Sequence, residues 1–494
     1  MMIKNFIIII FYFTYTLSAQ LISPDRKIEW NPGILNGIPE IKSPIKNVLN
    51  YGADPSGSMD SYSAFMSAIN NIPEDGGVVL IPAGTYKIEK TIIINRDKIV
   101  FKGEGIDKTK LLMYTDGTSF KVEAFGDTPW RSLRTKHLKG TSEIFVNNPE
   151  DFDVGLFVEI RQENDPIVMY TKPEWEQPWS YHSVGQIFEV KSVNNNQIEF
   201  VAPFNFDLDT SLNPQMKIQK LVKNVGFEGF YIEKKIATGH TFSFRNTAYC
   251  WIKNVESHRT RRSHIYLSSS LGNEIRNSYF HASFDYGGGG NGYGIKLERH
   301  VTNCLIENNV FDSLRHAMVV QVGANGNVFG YNFSTNPIHS EGNNKLNEGW
   351  IPPDISIHGH YPFMNLFEGN YVEEIGISDW FGPAGPGNTF FRNYVNGEGI
   401  FYKDHSNDQN IIGNQTTAII SDSTSKNVLE IKNIIDSKLK VNSPITEEIL
   451  SPSLYYNNKP EFLKDISWPV FGPNSTGNEI LPAQKVWAES ESKL

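Results

Sequence analysis

The sequence predicts an all-β fold, a right-handed parallel β-helix solenoid with a β-rich insertion, and three observations carry that prediction. Asparagine recurs at Asn254, Asn277, Asn309, Asn332, Asn370, Asn393 and Asn414, with spacings of 23, 32, 23, 38, 23 and 21 residues. A second series, Asn273, Asn303, Asn327, Asn365, Asn388 and Asn410, lies four to six residues before members of the first. Between the two sit short apolar words: Cys304-Leu305-Ile306, Val328-Phe329, Leu366-Phe367, Thr389-Phe390-Phe391 and Ile411-Ile412. A period of about 23 residues with one short strand after each asparagine is a solenoid signature. Leucine-rich repeats need a Leu-x-x-Leu-x-Leu frame that is absent, and helical repeats do not tolerate this load of Asn and Gly. Asparagine accepts the left-handed turn conformation, and copies stacked about 4.8 Å apart can hydrogen-bond along the turn. The two long spacings each hold a loop, Gly287 to Gly292 and Asn336 to Pro353.

In chain order, residues 1–19 read as a signal peptide. Lys4 precedes an apolar run from Phe6 to Leu17, and Leu17-Ser18-Ala19-Gln20 supplies a small-residue cleavage site. No later stretch reaches the ~18 apolar residues of a membrane span, so the mature protein is expected to be secreted or periplasmic, with no membrane contact. Residues 20–45 are polar and irregular. Residues 46–123 read as an N-terminal cap and the first coils: a strand, an amphipathic stretch through Ala64, Phe65, Ala68 and Ile69, then a strand ended by Pro82-Ala83-Gly84. Residues 124–220 break the pattern with Trp130, Trp175, Trp179 and alternating strands, and read as the insertion. Residues 221–430 form the central helix with the active-site face. Residues 431–494 give a last coil and a tail in which Pro452 to Pro473 is expected to pack along the helix.

The charge balance of 45 basic against 55 acidic residues excludes a nucleic-acid binder, which needs a basic face. An anionic ligand stays open, because a basic cleft can sit on an acidic protein. Cys250 and Cys304 fall on rungs two apart. Two rungs span about 9–10 Å, beyond disulfide reach, so two buried free thiols are predicted.

The words Asn50-Tyr51-Gly52-Ala53-Asp54, Asp60, Gly76-Gly77, Pro82-Ala83-Gly84-Thr85-Tyr86 and Lys102-Gly103-Glu104-Gly105 resemble the opening of the pectate-lyase-like superfamily of right-handed parallel β-helix proteins that act on polysaccharides. The resemblance implies a cap and first coils over about 60 residues; the same opening precedes lyases, glycoside hydrolases and phage tailspikes. Arg315-His316-Ala317-Met318, Gly323-Ala324-Asn325-Gly326-Asn327, His358-Gly359-His360-Tyr361-Pro362 and Asn388-Thr389-Phe390-Phe391-Arg392-Asn393 are similar to a subgroup of unassigned reaction type. The calcium-binding Asp arrangement of pectate lyases proper, with its Lys or Arg base, is not seen. No cofactor is therefore expected, with a divalent cation such as calcium left open.

Counting back from the second asparagine of each rung places residues on a shared face. Seven before it lie Tyr266, Lys296, His358 and Lys403; nine before, His264, Ser356 and Asp379; eleven before, His316 and Asp354. If no bulge intervenes, strand alternation points these outward, and puts Ile265, Ile295, Ile357, Ile377 and Tyr402 in the core. The stripe would cross about six rungs, or roughly 25–30 Å. His, Lys and Tyr together suit β-elimination from a uronate, which needs a cation on the carboxylate, a base for the α-proton and an acid for the leaving oxygen. Lys296, Lys403 and Arg315 are the candidate cations, His264, His316 or His358 the base, and Tyr266 or Tyr293 the acid. Tyr293, His360, Tyr361, Asp379 and Trp380 are expected to bind substrate. Asp354-x-x-x-His358-x-His360 has metal-ligand types but reads as a cleft lining.

The expectation is an exported, monomeric carbon–oxygen lyase acting on an acidic uronate-containing polysaccharide or its oligosaccharides, with dehydration of terminal uronates in the same class. Two alternatives stand. Glycoside hydrolysis would use an acidic pair among Asp354, Asp379, Asp404 and Glu374, with Asp354 and Asp379 on consecutive rungs. A non-catalytic sugar-binding β-helix would use Trp350, Tyr361, Trp380 and Phe381 as its platform.

Overall fold

In a computed structural model, residues 22–338, 352–378, 381–440, 449–476 and 479–492 are described. The signal peptide and Trp350 lie outside them. Short strands pair in parallel with the strand one turn later, and 31 of the described strands join into one continuous sheet. The sheet wraps into three faces of a right-handed parallel β-helix. The first face runs through Ser263–Ser268, Tyr293–Glu298, His316–Val320 and Ile355–Ile357 to the end of Tyr371–Ile377. The second runs through Glu274–Arg276, Leu305–Glu307, Val328–Gly330, Leu366–Glu368 and Thr389–Phe391. The third includes Tyr279–His281, Val310–Asp312 and Phe333–Thr335.

Like residues stack along the axis because the coils keep register. Ile265, Ile295, Met318, Ile355, Ile375 and Ile400 form one buried column of the first face. On the second face Phe329, Phe367 and Phe390 stack nearly parallel, at 4.9 and 5.1 Å between centroids. Those spacings match the strand separation of about 4.8 Å, so each ring fills the gap left by its neighbour. Ile357 and Ile377 are buried in the core as expected, and Tyr402 packs against it partly buried.

Two ladders hold the turns. In one, the carboxamide oxygens of Asn309, Asn332, Asn370, Asn393, Asn414 and Asn433 each accept the backbone N–H of the ladder residue one coil earlier. Asn370 shows the full accounting. Its Oδ1 takes the backbone N–H and Nδ2 of Asn332, and its Nδ2 donates to Asn393 Oδ1 and to the Phe329 carbonyl. The left-handed conformation falls one residue earlier, at Asn277, Asn308, Tyr331, Gly369, Arg392, Gly413 and Lys432. Two neighbouring residues therefore share what the sequence assigned to one. Asn277 is such a left-handed residue and Ser278 takes its ladder place, while Asn254 precedes Val255 in the same way.

The other ladder runs Cys250, Asn273, Cys304, Asn327, Asn365, Asn388 and Gln409. Asn303 and Asn410, expected in it, stand beside Cys304 and Gln409, which fill the position instead. Both cysteines are free and buried. Asn273 separates them by one coil on each side, and burial pushes both thiols up to about 12.

The helix Tyr62–Asn70 lays Ala64, Phe65, Ala68 and Ile69 over the first coil. At the far end Asn433–Ile435 pairs antiparallel with Lys438–Lys440. The N-terminal segment and the tail cover the second face: Ile22, Trp30 and Leu450 pack on Leu305, Val328, Leu366, Phe391 and Ile412. Arg392 donates to the carbonyls of Leu450, Ser451, Phe471 and Pro473 and so fixes the tail. Helix Pro482–Glu491 covers part of the third face, setting Ala483 and Trp487 on Tyr279, Val310, Phe333 and Tyr371. Among the described residues no helix is long and apolar enough to cross a membrane.

Two outcomes check the ladders. Asn370→Ala strands two donors of Asn332 in a dry interior, and should cost on the order of 3 kcal/mol in urea unfolding. Both thiols should resist a thiol reagent in the native protein and react at once in denaturant.

Candidate active site

The insertion is a six-stranded antiparallel sheet ordered Glu143–Phe145, Gln197–Phe200, Gly185–Asn194, Phe157–Arg161, Gln215–Gln219 and Arg131–Ser132. Val158, Ile160, Phe188, Phe200 and Phe204 give it a core of its own, and Phe363 and Met364 of the helix join that core. A buried network seats it. His300 of the β-helix sets Nδ1 2.6 Å from Glu159 Oε1 and Nε2 2.7 Å from the His182 carbonyl. Both ring nitrogens thus face an acceptor, and the ring is held from two sides. Glu159 also meets Lys217 at 3.0 Å. Burial would raise the Glu159 carboxyl, but His300 and Lys217 outweigh it and hold it down to about 2. So anchored, the segment around Trp179 reaches the first face: Arg299 donates to the Trp179 carbonyl, and the indole meets His360 edge-on with centroids 4.4 Å apart.

Under that roof the first face gathers four of the sequence candidates. Tyr293 and His316 are strand partners on adjacent coils, which brings their rings to 5.0 Å. The Tyr293 hydroxyl lies 3.1 Å from His358 Nε2, and the His316 and His358 centroids are 5.8 Å apart. Arg315 holds its guanidinium 5.8 Å above the Tyr293 ring and donates to the Gly287 carbonyl. The glycine-rich loop is itself tied down, since Asp285 accepts from Gly287 N–H and Asn291 Nδ2. His316 contacts the Pro353 carbonyl through Nδ1 at 2.7 Å, which places a proton on Nδ1. His358 and His360 both stack on Phe381. Burial, with His358 and Lys296 nearby, pushes His360 down to about 3, so that ring is neutral. Tyr293 and His316 are almost fully buried, and His358 is the half-exposed member.

The other candidates fall elsewhere. No bulge shifts the register, since Ser263 pairs with Tyr293 and Ile265 with Ile295, but His264 and Gly294 between them are left out of the ladder. The chain bends there, and a Cβ on Gly294 would press on the Ala317 carbonyl and the Phe311 ring. His264 consequently turns inward, fully buried, with Nδ1 on Ser257 Oγ at 2.8 Å and Nε2 on the Ala282 carbonyl at 3.0 Å. It is structural, not a base. Tyr266 and Lys296 are strand partners as expected, but the turns differ in length, so Val319 and Ser356 continue their line. His358 and Lys403 belong two residues further along. Lys403 lies two coils beyond His358, and among the described residues it makes no contact with the ring cluster. Lys296 spends its charge on Glu298 at 2.7 Å, and Tyr266 donates to the same carboxylate. Tyr361 has a left-handed backbone and packs against the insertion core, where burial pushes its hydroxyl up to about 12. Asp379 and Trp380 lie outside the described residues.

Sequence reasoning missed Trp179, because nothing local says where an insertion will dock. It also misplaced the acidic pair. Asp354 and Glu374 occupy equivalent positions on neighbouring coils. Asp354 is buried rather than outward, with Oδ1 on Ser334 Oγ at 2.6 Å and Oδ2 on the Glu373 and Glu374 N–H groups. Burial first, then Asp354 and Glu398, pushes Glu374 up to about 8. Among the described residues no three His, Cys, Asp or Glu side chains converge to hold a metal ion.

A family model described as rhamnogalacturonase A/epimerase, pectate lyase-like, matches residues 45–127. Among curated proteins no sequence matches the chain. Among solved structures the chain is similar to the tailspike protein gp49 from Pseudomonas phage LKA1. The TM-score is 0.56 at 13% identity, over 75% of this chain and 64% of that one. It is also similar to the Gp54 tailspike of Acinetobacter baumannii bacteriophage AP22, solved in complex with A. baumannii capsular saccharide. There the TM-score is 0.53 at 12% identity, over 79% of this chain and 70% of that one. The chain thus spans a little under two thirds of the first tailspike, and at these identities the likeness is one of fold.

Glu374 gives a pH test. Its pKa rises from 4.5 in the unfolded chain to about 8 in the fold. Its stabilising contribution is full below 4.5 and is lost as pH rises through 8. Glu374→Gln should therefore match the parent near pH 4 and exceed it in urea unfolding by an increasing margin up to pH 8.

Proposed function

We propose that this chain, a pectate-lyase-like right-handed parallel β-helix, is an exported carbon–oxygen lyase acting on an acidic, uronate-containing saccharide. The observation that carries the reading is the Tyr293–His358 hydrogen bond of 3.1 Å, set between His316 and Arg315. β-Elimination removes the proton at C5, alpha to the carboxylate. The C5–H electrons form the C4–C5 double bond, and the C4–O4 bond breaks with its electrons on O4. Arg315 grips the carboxylate, bidentate in the manner guanidinium allows, and makes the C5 proton more acidic. His316 Nε2 takes that proton. Tyr293 gives its hydroxyl proton to the leaving O4, and His358, bonded to that hydroxyl, returns one to it. The almost complete burial of Tyr293 and His316 favours a chain end reaching in over a polymer lying across an open groove. Loss of water from a terminal uronate would use the same groups.

A saccharide ligand is in keeping with the capsular saccharide bound to the Gp54 tailspike. A second reading, glycoside hydrolysis, rests on one observation: Glu374 is held protonated near neutral pH beside the Asp354 carboxylate, the division of roles an acid and its partner need.

A panel of acidic oligosaccharides followed by ultraviolet absorbance of the unsaturated product, alongside reducing ends, tests the two. The lyase reading expects absorbance and a drop in kcat of about 100-fold or more for Tyr293→Phe and His316→Ala, with Glu374→Gln active. Reducing ends without absorbance, abolished by Glu374→Gln, would overturn it in favour of hydrolysis.

A further inference from the structure

We infer that Trp179, carried by the insertion, is a sugar-stacking platform that makes the site prefer longer acidic oligosaccharides to short ones. The inference rests on the reading above for where the reacting sugar lies.

Trp179 stands on the short turn Pro178–Ser180. The chain leaving that turn is fixed. Asn164 Nδ2 donates to the Ser180 carbonyl at 2.9 Å and its Oδ1 takes the Ser183 N–H at 2.7 Å. The next anchor is the His182 carbonyl on His300. The Ser183 carbonyl then abuts Gly323 so closely that a Cβ there would fall 1.5 Å from it. Gly323 has φ +67°, so only glycine suits both its conformation and this approach. The indole itself is braced by His360 at 4.4 Å and Phe381 at 5.6 Å, both nearly perpendicular to it.

A ring held this firmly still leaves 39% of its surface open, and Tyr181 two residues on leaves 48%. Large aromatic side chains normally hide such area, and a rigid exposed pair at the mouth of a polar site marks a binding surface. The apolar C–H face of a pyranose is the surface such a ring complements. Three ring contacts, Tyr293 to His358 to Phe381 to Trp179, separate the platform from the proposed acid at steps of 6.2, 5.7 and 5.6 Å. That is too far for the reacting sugar and suited to a unit further along the same chain.

The test is an oligosaccharide length series on the full chain, using the panel above, with kinetics and calorimetric binding measured side by side. Trp179→Ala should raise KM about tenfold for the longer oligomers, leaving kcat and the disaccharide values unchanged. Trp179→Leu keeps apolar contact with His360 and Phe381 without an aromatic face, and should lose the same length preference while melting like the parent. Equal loss at every length, unchanged affinity at every length, or no binding by any member of the panel would overturn the platform. If oligomers bind in a length-dependent way that Trp179→Ala abolishes, yet no unsaturated product forms, the platform stands and the lyase reading falls.

Discussion

Everything in this molecule hangs on one repeated constraint: a turn that is buried must find partners for its backbone inside the protein. A parallel coil leaves N–H groups at each bend pointing along the axis, where the N-terminal segment, tail and insertion keep water away. A carboxamide answers this because it accepts and donates at once. Each ladder residue takes an N–H from the coil before and passes its own to the coil after, so the bends fall into register. The apolar columns inherit that register, which is why phenylalanines on successive coils lie flat on one another. Cys304 and Gln409 show that the demand is for an acceptor of fitting size, not for asparagine as such.

The site is a product of asymmetry among the three faces. Segments from both ends of the chain cover the second, and the C-terminal helix shields part of the third. The first meets the insertion and the glycine-rich loop among the described residues, and there polar rings gather. His300, held by its two acceptors, couples the insertion to the coil just behind the ring cluster. The roof over His358 and His360 is therefore as firm as that buried network. Tyr293 and His316 on strands, a loop pinned by Asp285 on one side and a docked domain on the other give a site with little freedom to drift.

Much of this was legible in the residues. Periodicity and Asn spacing gave the solenoid, and the separation of Cys250 from Cys304 gave the free thiols. Alternation found His316 and His358, and residue type named Tyr293 and Arg315 beside them, without knowing that they touch. What counting could not supply was the bend at His264 and the unequal turns. The bend leaves His264 buried beside Ile265, and Asp354 is buried against Ser334, while turns of different length shifted His358 and Lys403 along the face. Trp179 was out of reach for another reason: its place depends on how a separate core seats against the helix, which no local pattern encodes.

The two ends of the solenoid carry a further consequence. A stack of parallel strands in perfect register presents, at each end, a row of unpaired N–H and C=O groups that any extended chain could join, and such a stack is in principle a seed for fibre growth. The helix Tyr62–Asn70 stands across one end. At the other, Lys438–Lys440 folds back against Asn433–Ile435 with its direction reversed, so a newcomer finds the wrong polarity for another coil. The molecule can thus stack strands as regularly as an amyloid does and still stop at a fixed length.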